Sequence, residues 1–249
     1  MSPVHRDRAR AESFGTVAAL YDRHRPRYPE ALIDDLAALT PARAVDVGCG
    51  TGQAARALAR RGVSVLGVEP DARMAALARD HGVAVEVATF EDWDHAGRRF
   101  DLLTFGASWH WIDPERGIAK AARVLRPGGT LARFWSAEVP DERAVAALES
   151  VYRRLAPHAT RYVPAVSGDW DDPVTASGAF GAIEDRRYPW SRTLDAEAWI
   201  GMVTTFSDHQ RLEPDRLLAL QQALAEAIAG VGGAIEVDCV TYARLARRA

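Results

Sequence analysis

The chain has 249 residues, 48% of them hydrophobic and 26% charged, the composition of a globular protein with room for one sizeable core and an appendage, or for two small domains. A formal net charge of −3 gives no electrostatic case for a nucleic-acid partner, and two cysteines, Cys49 and Cys239, make neither a disulfide framework nor a zinc spacing. No apolar run is long enough to span a membrane and the polar start, MSPVHRDRARAES, has no signal-like core, so the expectation is a soluble, cytoplasmic protein, free of membrane, whose first dozen residues are loosely ordered.

In chain order, Pro29 starts a helix over PEALIDDLAAL that Thr40-Pro41 ends, and RAVDV, residues 43–47, is the first predicted strand. Glycines follow, then the helical QAARALARR closed by Gly62, the apolar run VSVLGVE at 63–69, and a helix that Asp71 caps and Gly82 stops. VAVEVA and FDLLTFG (100–106) are the third and fourth strands. Asp113-Pro114 opens a helix to Leu125, and TLARFWS is the fifth strand. Such alternation predicts βαβ units, a parallel sheet, and a ligand outside the C-terminal ends of the strands.

The second half is less regular. A helix spans roughly 141–156, HATRYVPAVSGDWDDP reads as loop or insert, and EDRRYPWSRTL is strand-like with Pro189 pointing to an edge or bulge. Two helical patterns, DAEAWIGMVTTF and PDRLLALQQALAEAIAG, precede a last strand, IEVDCVTYARL. This late strand pair cannot be parallel throughout. The expected division is one domain over 1–249, with a ligand-binding core at 14–136 and a substrate cap or insert with a late strand at 137–234.

The first strand ends in VDVGCGTGQ, with Gly48, Gly50 and Gly52 spaced two apart. Glycine tolerates positive φ and lets a ligand touch the backbone, while the helix that follows offers free N–H groups. A phosphate loop needs Gly-Lys-Ser/Thr, which is absent. A dinucleotide fingerprint needs glycine at the sixth position, where Gln53 stands. Asp46, within the strand, is either a structural acid capping nearby amides or an acid set beside a cationic ligand, for which the ammonium and sulfonium of S-adenosylmethionine (SAM) qualify. Glu69 ends the second strand roughly 20 residues beyond the first glycine, the offset at which a carboxylate accepts ribose hydroxyls.

VDVGCGTG, GVEP, EVATFEDW, FDLLTFG and RVLRPGG, in this order, resemble the successive motifs of class I SAM-dependent methyltransferases over roughly residues 14–136. The resemblance implies an α/β, doubly wound, Rossmann-like, seven-stranded mostly parallel sheet with an antiparallel last strand and a helical cap. It also implies SAM as cofactor, with adenine between Pro70, Asp71 and Met74 on one side and Phe90 and Glu91 on the other, and with Gly106 and Ala107 beside the methionyl chain. FGTVAALYDRHRPRYP is similar to the lid of a small-molecule branch that includes trans-aconitate methyltransferase-like proteins, which implies that Tyr21 covers the cofactor and Arg25 grips its carboxylate. Tyr28 reads as packing.

The acceptor would sit beyond the fourth strand, at SWHWID, where Trp109 and Trp111 flank His110. Aromatic walls exclude water, and a histidine can take the proton that a hydroxyl or ammonium acceptor must lose. His110 is thus a candidate general base, or else a brace for its loop. Ser207 and His209 in TTFSDHQ, Trp135 at the end of the fifth strand and Trp190 in YPW are candidates for the acceptor pocket, against capping or sealing of the core. Cys49 reads as a small filler, and no cluster has metal spacing. The reading is methyl transfer from SAM to a small-molecule acceptor, at a hydroxyl or carboxylate oxygen, with N- or C-methylation, a non-methylating SAM-binding role, or NAD(P)-dependent oxidoreduction as alternatives. Acceptor identity and oligomeric state are left open by the sequence.

Overall fold

The computed structural model describes residues 13–160, 162 and 172–249. The loosely ordered start expected for the first dozen residues, and most of HATRYVPAVSGDWDDP, lie outside the described residues.

Strands β1 (Arg43–Val47), β2 (Ser64–Glu69), β3 (Ala84–Val87), β4 (Phe100–Gly106), β5 (Leu125–Pro140), β6 (Phe180–Asp195) and β7 (Ala234–Arg248) form one sheet in the order β3-β2-β1-β4-β5-β7-β6. β1 to β5 pair in parallel, and β7 inserts antiparallel between β5 and β6. The seven-stranded sheet with its antiparallel last strand is the expected one. β5 runs well past TLARFWS at both ends. Leu125 pairs with Phe100 before the register shifts, and pairing with β7 continues to Pro140 opposite Val237. β6 is an edge strand, which is why Pro189 is tolerated within it.

The helices are α1 (Ala18–His24), α2 (Glu30–Ala37), α3 (Gln53–Ala59), α4 (Ala72–Asp80), α5 (Pro114–Val124), α6 (Glu142–Leu155), α7 (Pro173–Ala176), α8 (Ala196–Thr204) and α9 (Pro214–Gly230). Adjacent strand residues feed opposite faces of the sheet. Ala44 and Leu102 pack with Leu32, Ile33 and Leu58 of α2 and α3, while Val45 and Leu103 pack with Ile118, Ala121 and Val124 of α5. Burial on both faces accounts for the near-continuous apolar runs of the central strands. A further core joins Leu148 and Tyr152 of α6, Trp199 and Met202 of α8, Leu220 and Leu224 of α9, and Ile235, Val237 and Cys239 of β7. This layer packs on β6, β7 and β5, and Asp141, Asp195, Asp71 and Asp113 each cap the N-terminus of a helix with a side-chain oxygen.

Candidate active site

A cavity of about 450 Å³ runs along the C-terminal ends of β2, β1, β4 and β5. Gly48 and Gly50 open its floor with left-handed φ values of 62° and 56°. A Cβ on Gly48 would lie 2.6 Å from Cβ of Ser108, whose hydroxyl donates to the carbonyl of Val47 over 2.6 Å. The turn is therefore locked against the loop after β4 and leaves its own surface bare. Gly52 faces away, toward Ala78 and Val83, where its Cβ would be 3.3 and 3.0 Å from them. It serves helix packing and does not line the cavity.

Glu69 is the buried acid at the β2 end. Oε2 accepts from the Gly50 N–H at 2.9 Å and Oε1 from the Asp71 N–H at 3.0 Å. Burial outweighs these hydrogen bonds and pushes its carboxyl up to about 7. Each oxygen keeps a second lone-pair site, and the residue lines the cavity. Pro70, Met74, Phe90 and Glu91 line the same end. Phe90 is fixed edge-on against Phe105, and Oε1 of Glu91 accepts from the Asp113 N–H over 2.9 Å, so the residue ties the loop after β3 to the start of α5. Asp71, expected beside them, turns away to cap α4 and to pair with Arg73 at 2.7 Å.

Asp46 is off the main cavity. Its oxygens accept from the Thr104 hydroxyl at 2.8 Å and the Ala55 N–H at 3.2 Å, so of its two readings the structure supplies the one in which it braces β1 against β4 and α3. Burial pushes this carboxyl up to about 6, and it borders a recess of about 30 Å³ shared with Tyr21, Tyr28 and Gly106.

α1 and the segment after it cover the cavity. Tyr21, Arg25 and Tyr28 all line it. Arg25 lies over the Phe206 ring at 4.5 Å from its centroid, and its Nε donates to the Thr205 hydroxyl over 2.7 Å, which anchors the cover to the end of α8. A Cβ on Gly106 would come within 2.6 Å of the Tyr28 hydroxyl, so this tyrosine touches the β4 exit as well as packing edge-on against Phe134. Ala107 also lines the cavity, held at φ 52° with its N–H bonded to the carbonyl of Phe134 at 2.8 Å. An alanine at positive φ is a strained backbone placed at the site.

Beyond Gly106, exposed His110 and half-buried Trp111 line the cavity with ring centroids 4.7 Å apart. Trp109 does not join them. It points inward, edge-on to Phe105 and under the Arg133 guanidinium, and so anchors the turn that presents His110. Trp135 and Ser207 line the cavity. Trp190 does not; its Nε1 donates to Thr241 at 3.1 Å within the β6–β7 pair. His209 is fully buried between Tyr152, at 3.0 Å, and Asp208, at 3.1 Å, so it faces the cap core rather than an acceptor.

The structure adds Glu138 and Asp208 to the wall, along with Gln53, whose buried Nε2 has no hydrogen-bond partner among the described residues. Oε2 of Glu138 pairs with Arg192 of β6. Asp208 accepts from the Thr160 N–H at 2.5 Å and from His209; burial opposes its ionisation, but these hydrogen bonds prevail and hold its carboxyl well below the usual range. Only the alternation along β5 could have flagged Glu138, and nothing local marks Asp208 as more than a helix-end acid. Among the described residues no group of three acidic, histidine or cysteine side chains is placed for a metal ion, and no helix is long and apolar enough to cross a membrane.

Residues 45–133 match the family described as "Methyltransferase domain". An uncharacterized methyltransferase of Mycobacterium tuberculosis is 33% identical over 201 residues, covering 78% of this chain and 76% of that protein. A ubiquinone biosynthesis O-methyltransferase of Hahella chejuensis is 37% identical over 107 residues, 40% of this chain and 45% of that one. Among solved structures, one from Anaeromyxobacter dehalogenans assigned as a type II methyltransferase superposes with a TM-score of 0.65 at 26% identity, over 90% of this chain and 97% of that one.

Proposed function

The chain belongs to the SAM-dependent methyltransferases, and on that premise we propose that the cavity binds SAM at its β1–β2 end and passes the methyl group to an oxygen of a small molecule held at its β5 end. One observation carries the reading. The bare Gly48–Gly50 turn and buried Glu69 lie at one end of a single cavity whose other end reaches His110, Trp135 and Glu138.

The residues present fit the cofactor. Glu69 offers its remaining lone pairs to ribose hydroxyls, Met74 and Phe90 give apolar faces for adenine, and Arg25 and the unpartnered Gln53 Nε2 supply donors for a carboxylate. Bound SAM supplies an electrophilic methyl carbon on a sulfonium. What the chain then does is hold an acceptor oxygen in line with that carbon and keep water out, so orientation does much of the work. Tyr21, Tyr28 and Trp111 provide the cover. His110 takes the proton of a hydroxyl acceptor, a step that a carboxylate acceptor does not need. The layer of α6, α8 and α9 is the cap beside the acceptor, and the chain works as one domain. Resemblance of the lid to the trans-aconitate methyltransferase-like branch and the identity with the Hahella O-methyltransferase both favour oxygen as the acceptor atom.

Incubation with methyl-labelled SAM and a panel of small hydroxyl and carboxyl compounds tests this. Label is expected in an ether or ester product. Tight SAM binding without transfer to any compound would count against it.

A further inference from the structure

We propose that Glu138 is the residue that selects the acceptor, and that the acceptor is an uncharged or cationic molecule with two donor groups, a diol or an amino alcohol, rather than a polycarboxylic acid. This rests on the methyltransferase reading above and deepens it.

Glu138 lies on the same face of β5 as Ser136 and Phe134, beyond the point where β4 has ended. It is 5% exposed, yet lines the cavity. Oε2 is committed to Arg192. Among the described residues Oε1 has no hydrogen-bond partner, and since the residue lines the cavity this is the oxygen left for a bound molecule. A carboxylate oxygen in such a place is an acceptor waiting for a donor, and leaving it unmet in a desolvated complex is costly. Sheet order puts β2 three strand spacings from β5, about 14 Å. Glu138 therefore serves a molecule at the end remote from Glu69, beside the loop that carries His110. One donor of the acceptor meets Glu138 and the other faces His110.

Charge agrees with this. The described lining carries the carboxylates of Glu69, Glu91, Glu138 and Asp208 against the single guanidinium of Arg25, itself bonded to Thr205. Arg192, which does not line the cavity, is pinned between the Glu138 carboxylate and the Met202 sulfur at 2.7 Å. A di- or tricarboxylate entering the β5 end would meet Glu138 and Asp208 without a free cation among the described residues, and like charges in a closed site repel strongly.

The test uses the full chain with labelled SAM and two matched panels, vicinal diols and amino alcohols against di- and tricarboxylic acids, with SAM affinity measured separately by calorimetry. Transfer to members of the first panel is expected. Glu138→Gln is expected to lower kcat/KM for them roughly 10–150-fold, mostly through KM, with the SAM Kd unchanged and discrimination against the acids reduced. Because Glu138→Gln leaves Arg192 buried without its partner, the double variant Glu138→Gln/Arg192→Met, which removes both charges, is measured beside it and is expected to show the same loss. Transfer confined to the acids, transfer to no donor compound by a protein that binds SAM, or wild-type kcat/KM in both variants overturns the proposal. Failure to bind SAM at all overturns instead the methyltransferase reading on which it stands.

Discussion

Glu69 concentrates what a single residue contributes at this site. Its carboxyl is raised from 4.5 to about 7, and that of Asp46 from 3.8 to about 6, in both cases chiefly by burial. A raised acid favours the folded state fully below its unfolded pKa, and that contribution is lost as pH climbs through the folded value. The ligand-free protein is thus expected to lose stability between about pH 4 and 7, which denaturation midpoints across that range will show. SAM binding runs the other way. Hydroxyl donors and a cationic ligand favour ionised Glu69, so binding should release protons near pH 6.5 and tighten as pH rises. Calorimetry in two buffers of different ionisation enthalpy reads this directly, and no proton release would mean that Glu69 does not meet the ligand. Glu69→Ala should weaken SAM binding by about 1–3 kcal/mol. His110→Ala should lower kcat more than it raises the SAM Kd and should flatten the pH profile; turnover near wild type would make His110 a brace for its turn. These residues were readable from sequence because strand, glycines and acid sit close together in the chain. Glu138 and Asp208 were not, since their place at the cavity depends on the long β5–β7 pairing and on where the turn after α8 comes to rest.

Elements set the positions these residues hold. α1 is wedged between α4 and α8. Asp22 meets the His81 ring at 2.9 Å, and His24 packs against Gly201, where a Cβ would come within 2.5 Å of the ring root. Gly201→Ala should therefore push the cover outward and weaken SAM binding by about 1–3 kcal/mol, a loss that calorimetry will show while the sheet core keeps its thermal transition. On the opposite face, Arg133 of β5 is held by Asp172 at 2.6 Å and stacks on Trp109, and Arg244 of β7 reaches the same carboxylate at 3.0 Å. Both partners of the closer pair are almost wholly buried. Asp172→Ala should cost roughly 3–5 kcal/mol in chemical denaturation, because it strands a buried guanidinium. The sequence marked Trp109 as an active-site aromatic by its place beside His110. Successive residues of that tight turn point in different directions, and the one facing Phe105 is spent on the core.

At the scale of the whole molecule, the half of the chain built from βαβ units was legible almost throughout. Its period changes, caps and glycine stops are local, and parallel topology follows from them. The second half was legible as elements from its own residues, and its antiparallel last strand only through the family resemblance. Nothing in IEVDCVTYARL says that this strand enters between β5 and β6, yet that insertion carries β5 out to Glu138 and stacks α6, α8 and α9 into a cap beside the cavity. The fold thus joins a cofactor end written in contiguous motifs to an acceptor end assembled from distant segments. The most direct test is a crystal structure of the chain with S-adenosylhomocysteine. The expectation is ribose at Glu69, adenine beside Met74 and Phe90, sulfur passing Gly106 and Ala107, and open space left between His110, Trp135 and Glu138. A ligand whose adenine fills the Glu138 end, or one bound outside this cavity, would contradict it.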